Sequence, residues 1–270
     1  MKRLLRASLV ASAVAALLAS AAPARAQTHS PSTDWRRLDR TESLGKTSST
    51  QQFTFELRFG QYSPEVDSKP GLGKDSTGHL PYQAVFNLDE NGDALSNDQL
   101  YIGVELDYLP FRIPYIGALG PGLGWGYTHT SALAKYSADR TKVSTTSTAF
   151  TILPMHLSAV LRFDELMRRT GVPIVPYGKL GLGLGIWTAS PVPRGFSGTG
   201  ATWGLHFAAG VMLALNFLDP RSSARLDETT GVNHAYVFGE IMRANLNGLA
   251  ATPTYYLGST SWVAGLAIDL

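Results

Sequence analysis

The chain has 270 residues, 23 Lys and Arg against 21 Asp and Glu, a formal net charge of +2 and no cysteine. Four of the cations, Lys2, Arg3, Arg6 and Arg25, lie in an N-terminal leader-like stretch, so the remainder carries 2 − 4 = −2 and lacks the basic balance that nucleic acid binding requires. Without cysteine neither a disulfide framework nor a lipidated N-terminus can form, and after Ala26 no apolar run approaches the roughly 20 residues of a membrane-spanning helix.

Residues 1–26 join a charged start, an apolar run from Ala7 to Ala22 and the small-residue site Ala24-Arg25-Ala26, the pattern of a cleaved export signal. Residues 27–52 are polar, with Trp35 and scattered leucines as their only anchors, and are expected to form a flexible tail. At Phe53 the pattern changes: Phe53, Phe55, Leu57 and Phe59 alternate with Thr54, Glu56, Arg58 and Gly60, the period-two signature of a strand with one apolar and one charged face.

Seven further segments repeat that signature. Gln99–Leu109 sets Ile102, Val104, Leu106 and Tyr108 against Glu105 and Asp107, and Tyr115–Thr128 sets Leu123, Trp125 and Tyr127 against Gly122, Gly124 and Gly126. Glycines on the inner side of a narrow barrel make room for larger side chains from facing strands. Residues 147–162 carry Leu153, Met155, Leu157 and Leu161 on one face, with Pro154 expected to mark a bulge. Residues 177–187, 203–217, 234–246 and 255–270 complete the set, the last alternating Trp262, Ala264, Leu266 and Ile268 with Ser261, Gly265 and Asp269. An amphipathic strand of this kind leaves a sticky edge unless it is paired on both sides, so it is read as the closing strand beside residues 53–61.

Eight antiparallel strands, each long enough to cross a bilayer at a tilt, give the expected fold: an all-β, eight-stranded up-and-down transmembrane barrel over residues 53–270. Its inward faces would carry a polar network of Glu56, Arg58, Glu105, Asp107, Arg162, Lys179, His206, Glu240 and Asp269. An eight-stranded barrel is just wide enough for its own side chains, so these charges are expected to pair and fix strand register rather than line a pore. With the first strand running outward, Tyr108, Tyr115, Phe163, Tyr177 and Phe217 would form an inner aromatic girdle, with Tyr236 at the same level. Trp125, Tyr127, Trp187, Trp203 and Tyr255 would form the outer one, and Trp262 of the last strand is also expected in the girdle. The outer loops would be residues 63–98, 129–146, 188–202 and 247–254, and the inner connections 164–172 and 219–232 are long enough to hold a helical turn each.

The segments Phe53–Asp67, Arg162–Leu166, Val175–Leu182, Gly231–Phe238 and the Trp262 strand together resemble a family of small outer-membrane β-barrel proteins of myxobacteria and their relatives, with the small-barrel architecture of OmpA and OmpX. The resemblance implies an outer-membrane location and no known activity. The chain departs from the usual pattern in ending on Leu270, where such barrels end on Phe or Trp as part of an assembly signal. Outer-membrane lipid and lipopolysaccharide, with the barrel assembly machinery during biogenesis, are the expected partners of a monomer without cofactor or metal.

Four motifs compete with that reading. His156 and Ser158, two apart on one strand, superficially look like the site of a lipid A deacylase, but parity turns both inward and no acidic residue is placed by sequence to orient the histidine. Asp89-Glu-Asn-Gly-Asp93 lacks the glycine and the terminal acid of a calcium loop and reads as a turn. Neither Gly71–Ser76 nor the alternating glycines of Gly178–Gly185 has nucleotide-binding spacing. A structural or surface-interaction role is therefore expected, with a lipid-modifying enzyme or a small-solute pore as alternatives, and a soluble lipocalin-like barrel as the rival fold.

Overall fold

A computed structural model describes residues 52–74, 78–86, 96–135, 143–192, 197–217, 232–249, 253 and 255–270. Nine strands form one sheet: β1 (Phe53–Tyr62), β2 (Gln99–Tyr108), the short β3 (Phe111–Ile113), β4 (Gly117–Lys135), β5 (Val143–Arg162), β6 (Ile174–Val192), β7 (Gly198–Ala214), β8 (His234–Asn245) and β9 (Ser259–Asp269). Every neighbouring pair is antiparallel, β1 pairs with both β2 and β9, and β2 pairs with β4, so the eight long strands close into a barrel with β3 as a small annex. The closure expected between the last strand and the first runs from Thr54 opposite Asp269 to Gly60 opposite Val263.

Period-two sequences produce the two faces directly. Along β2 burial alternates without a break from Gln99 to Asp107, apart from Val104, which is half-buried on the outer face. Outside, Leu123, Leu153, Leu157, Leu180, Leu182, Phe207, Val211, Ile241 and Leu266 stand exposed in a continuous apolar belt. In water such a belt would be far larger than the patch a monomer tolerates, whereas in a bilayer it is the lipid face. Inside, the missing β-carbons make the expected room: one on Gly124 would lie 2.3 Å from the His156 ring and one on Gly126 2.2 Å from Tyr101.

The two ends differ. At the terminal end Phe53 and Leu270 exchange backbone hydrogen bonds, and the turns fully within the described residues are the β2–β4 turn containing β3 and the β5–β6 turn containing the helix α1 (Glu165–Thr170). At the loop end the barrel is lopsided, since β4 to β7 are 19, 20, 19 and 17 residues long while β1, β2, β8 and β9 are 10, 10, 12 and 11. About 9–11 residues suffice to cross a bilayer, so β4 to β7 rise past the rest as a four-stranded wall roughly 20 Å tall.

This wall corrects the expected loops, because residues 129–135, 143–146, 188–192 and 198–202 belong to strands β4 to β7. Their Ser- and Thr-rich sequence suggested loops, but β-branched threonine suits a solvated strand. The bulge expected at Pro154 is also corrected. Pro154 stays in register opposite Gly185; on the β4 side the ladder lapses at Leu153 and Pro154 without a shift, and the register shift between β4 and β5 falls at Leu133/Lys135. The helical turn expected in residues 164–172 is α1, whereas the one expected at 219–232, the export signal, the tail to Gln51 and Asp89–Asp93 lie outside the described residues.

Candidate functional site

The barrel interior is stacked in three tiers. At the centre, Glu56 on β1 lies directly opposite Glu105 on β2. Two carboxylates facing each other across a ladder repel, and cations from other strands resolve the conflict. Lys179 reaches across from β6 with Nζ 2.9 Å from Oε2 of both Glu56 and Glu105 and 3.7 Å from Glu240 Oε2. Arg58 Nη1 bonds Glu56 Oε2 at 3.1 Å and contacts Glu105, while Nη2 donates to Glu240 on β8. All five side chains have no accessible surface, so three carboxylates and two fixed cations are held wholly out of water.

Two histidines complete this tier. The rings of His156 and His206 stack at 3.9 Å, 3° from parallel, and His156 Nε2 lies 3.2 Å from Glu105 Oε2. An acid does therefore stand beside His156, supplied from β2 across Gly124 of the intervening β4, where a single sequence offered none. Ser158 is buried on the same inner face and its Oγ makes no hydrogen bond, so neither member of the pair meets the lipid side of the wall.

Towards the terminal end, Arg162 Nη1 forks onto Asp269 at 2.9 and 3.1 Å, and its Nη2 donates to Thr54 Oγ1 at 3.0 Å. Thr54 Oγ1 in turn donates to Asp269 at 2.6 Å, and the Arg162 guanidinium lies 5.7 Å from the Tyr236 ring. Asp107, directly opposite Thr54, is fully buried in the space left by Gly122, with neither carboxylate oxygen hydrogen-bonded. The cavity at this mouth, lined by Thr54, Arg162 and Asp269 among others, measures about 10 Å³. That is the space of roughly one water molecule, and not a channel.

Towards the loop end the lumen becomes aromatic. The short helix of residues Pro81–Phe86, which precedes β2, is capped by Asp67, whose carboxylate oxygens accept from the backbone of Tyr82 and Gln83 at 2.8 and 2.7 Å. The helix lays Tyr82 over Phe150 at 5.7 Å, and Trp187 stands edge-on to Tyr255 at 4.7 Å. Burial pushes the Tyr82 hydroxyl well above its ordinary pKa. Beneath them Tyr62 bonds the Leu257 carbonyl, and Thr128 Oγ1 donates to Gln99 Oε1 at 3.0 Å.

All nine polar residues expected inside are buried there, between 0% and 4% exposed. The girdle is more mixed. Tyr108, Tyr115 and Phe163 are exposed at the terminal end, and Trp125, Tyr127, Trp203 and Trp262 at the opposite level. Trp125, Met155, Leu184 and Trp203 form one register row across β4 to β7. Tyr177 and Trp187 are corrections: at 3% and 6% exposed they face the lumen, as does Tyr236 at 2%. The cause is parity, since Tyr177 and Trp187 share the face of Lys179 on β6. Phe217 ends a 3-10 turn after β7, and its side chain is outside the described residues. The Thr54, Gln99, Thr128 and Tyr62 contacts were missed by the sequence reading, although the same alternation places all four inward.

No protein-family model matches the sequence, and no curated protein is similar to it. Among solved structures the chain is similar to the outer membrane protein OprG of Pseudomonas aeruginosa, at 14% identity over 84% of this chain and 98% of that one, with a TM-score of 0.47. It is also similar to Ail, the attachment invasion locus protein of Yersinia pestis, at 11% identity over 82% and 97% with a TM-score of 0.40. A third is the N-terminal β-barrel domain of Pseudomonas aeruginosa OprF, at 12% identity over 82% and 98% with a TM-score of 0.36. The closed antiparallel sheet, its uninterrupted apolar outer belt and its filled polar lumen make this chain an outer-membrane β-barrel of eight spanning strands.

Proposed function

We propose that the barrel is a rigid pedestal that presents the β4–β7 wall at the cell surface for contact with lipopolysaccharide, other surfaces or partners, as a monomer of the myxobacterial small-barrel family named above. In this reading the terminal end faces the periplasm, from which the assembly machinery inserts the chain, and the loop end faces outward.

The observation that carries the proposal is the wall itself. Among the described residues β4 has no strand partner on its β2 side above Thr128, and β8 pairs with β7 only from Leu205 onward, so the wall has two upper edges and a hydroxyl-rich face beyond the lipid belt. Such edges and loops are where binding is placed on a rigid scaffold. A filled lumen supports the pedestal reading over the pore.

The test is a shortened barrel in which Asn-Gly replaces residues 131–149, joining the opposed pair Thr130 and Phe150, and again replaces 190–197, joining Ala189 and Gly198. Cells expressing the full chain should be retained on cell or abiotic surfaces more than cells carrying an empty vector, and cells with the shortened barrel should not, at equal amounts of folded protein. Equal retention by both forms would refute the role of the wall, and single-channel steps from the full chain in a planar bilayer would favour the pore instead.

A further inference from the structure

At the terminal end, outside the barrel, the β2–β4 and β5–β6 turns lie side by side because Ala118 pairs with Arg162. Between them is a groove of about 260 Å³ lined by Arg112, Ile113, Pro114, Tyr115, Gly117, Glu165, Arg168 and Arg169. Three guanidiniums converge here. Arg112 Nη1 is held by Asp164 at 2.7 Å, Arg169 Nε by Glu165 at 2.8 Å, and Arg168 lies 3.7 Å from Glu165. Each guanidinium has five N–H donors, so these contacts use only a minority of the donors that line the groove. Arg169 also lies over the Tyr115 ring, 4.4 Å from its centre.

The surroundings say what kind of anion fits. Phe111, Tyr115, Ile116, Phe163, Leu166 and Val172 are all exposed around the groove, Tyr115 by 76%. This apolar collar continues the lipid belt, while the guanidiniums sit at its polar edge. A soluble anion would gain nothing from the collar, whereas a molecule with a phosphate and two acyl chains uses both. Tyr115 holds a left-handed backbone, φ 67°, at the tip of the turn, a conformation that is strained for a tyrosine and aims this exposed ring at the groove.

We propose that this groove binds the phosphate of an anionic phospholipid from the leaflet at the terminal end, with its acyl chains against Phe111, Ile116 and Leu166. Arg168 and Arg169 supply the charge, and Arg112, fixed by Asp164, supplies an oriented fork. The identity of the leaflet as the periplasmic one rests on the orientation proposed above, but binding itself does not, so the two can fail separately.

The experiment is native mass spectrometry of the full chain in maltoside detergent with equal palmitoyl-oleoyl phosphatidylglycerol and phosphatidylcholine. Retained phosphatidylglycerol should exceed phosphatidylcholine by about fivefold, the factor expected of one net cation, since Arg112, Arg168 and Arg169 stand against Asp164 and Glu165. The excess should vanish in Arg168→Gln/Arg169→Gln and persist in Lys69→Gln/Lys74→Gln at the loop end. Folding is checked by heat-modifiable migration, and if the double variant does not assemble, Arg168→Gln, at a side chain 53% exposed, carries the same test. The proposal is overturned by equal retention of the two lipids, by an unchanged excess in the arginine variant, or by an equal loss in the lysine variant. Displacement of the lipid by glycerol phosphate would also overturn it, as a soluble-anion site.

Discussion

Replacing Arg58 with methionine tests the central tier most directly. The guanidinium touches Glu56, Glu105 and Glu240, and each of these groups has no accessible surface. Methionine fills much of the volume, so the substitution removes charge and hydrogen bonds with little cavity. What remains is Lys179 alone against three carboxylates, two of them directly opposed on β1 and β2. Removing one partner of a buried ion pair costs about 3–5 kcal/mol, because the surviving charges stay buried without compensation. With a urea slope of roughly 2 kcal/mol/M the unfolding midpoint should fall by about 2 M. The assay is reversible urea unfolding in micelles, followed by gel migration of the folded and unfolded forms. Arg58→Met/Glu240→Gln should recover a large part of the loss, since it restores the balance of charge. An Arg58→Met barrel within about 1 kcal/mol of the parent would refute the reasoning, because it would mean that water or rearrangement solvates the carboxylates at no cost.

Three further outcomes follow from the same geometry. In single-tryptophan variants, brominated lipid should quench Trp125, Trp203 and Trp262 but not Trp187, which is 6% exposed and faces the lumen; Trp187→Ala should lose about 3–5 kcal/mol in the same urea assay. Gly124→Val puts a β-carbon 2.3 Å from the His156 ring and should destabilise by about 1–3 kcal/mol, with His156→Ala in the same chain restoring much of it. Glu165, held below the usual carboxylate range first by its hydrogen bond from Arg169 and also by the nearby Arg168, contributes stability that is present above its unfolded pKa and is lost as pH falls through the lower folded value. Titration of its side-chain carbon signal by NMR should show that low midpoint, and Arg169→Gln should move it upward.

Alternation alone made much of the barrel legible. On β1, β2 and β9 the inward set, with Glu56, Arg58, Glu105, Asp107 and Asp269, follows from counting by twos, and so does the closing pair of strands. The partners were not legible. That Lys179 bridges Glu56 and Glu105 depends on the stagger around a closed sheet, and so does the placing of Glu105 beside His156. Tyr177 and Trp187 were misplaced because aromatic residues were sorted by height along the strands, whereas parity with Lys179 decides their side. The wall was mistaken for loops for a related reason: once a strand rises out of lipid, neither face needs to be apolar, so the periodic signal fades while the backbone ladder continues. The arginine groove joins two turns separated by a whole hairpin and had no local signature.

The lopsided height of the barrel and the distribution of its buried cations belong together. Among the described residues no strand pairs with the two upper edges of this four-stranded wall, so load on it passes down β4 to β7 into the half of the barrel that ends at the membrane. Two of the lumen cations stand on that tall half, Lys179 on β6 and Arg162 on β5, and both reach strands of the short half: Lys179 reaches Glu56, Glu105 and Glu240, and Arg162 reaches Thr54 and Asp269. Arg58 then ties β1 to β8 within the short half, which keeps the receiving strands in register. Ladder hydrogen bonds run around the wall of a barrel and resist sliding between neighbours, but they do little against flattening of the ring. Ion pairs that span the lumen oppose that flattening, and they do so at low dielectric, where their interaction is strongest and their loss most costly. A lumen filled in this way is what a narrow barrel needs in order to hold a tall, one-sided sheet upright.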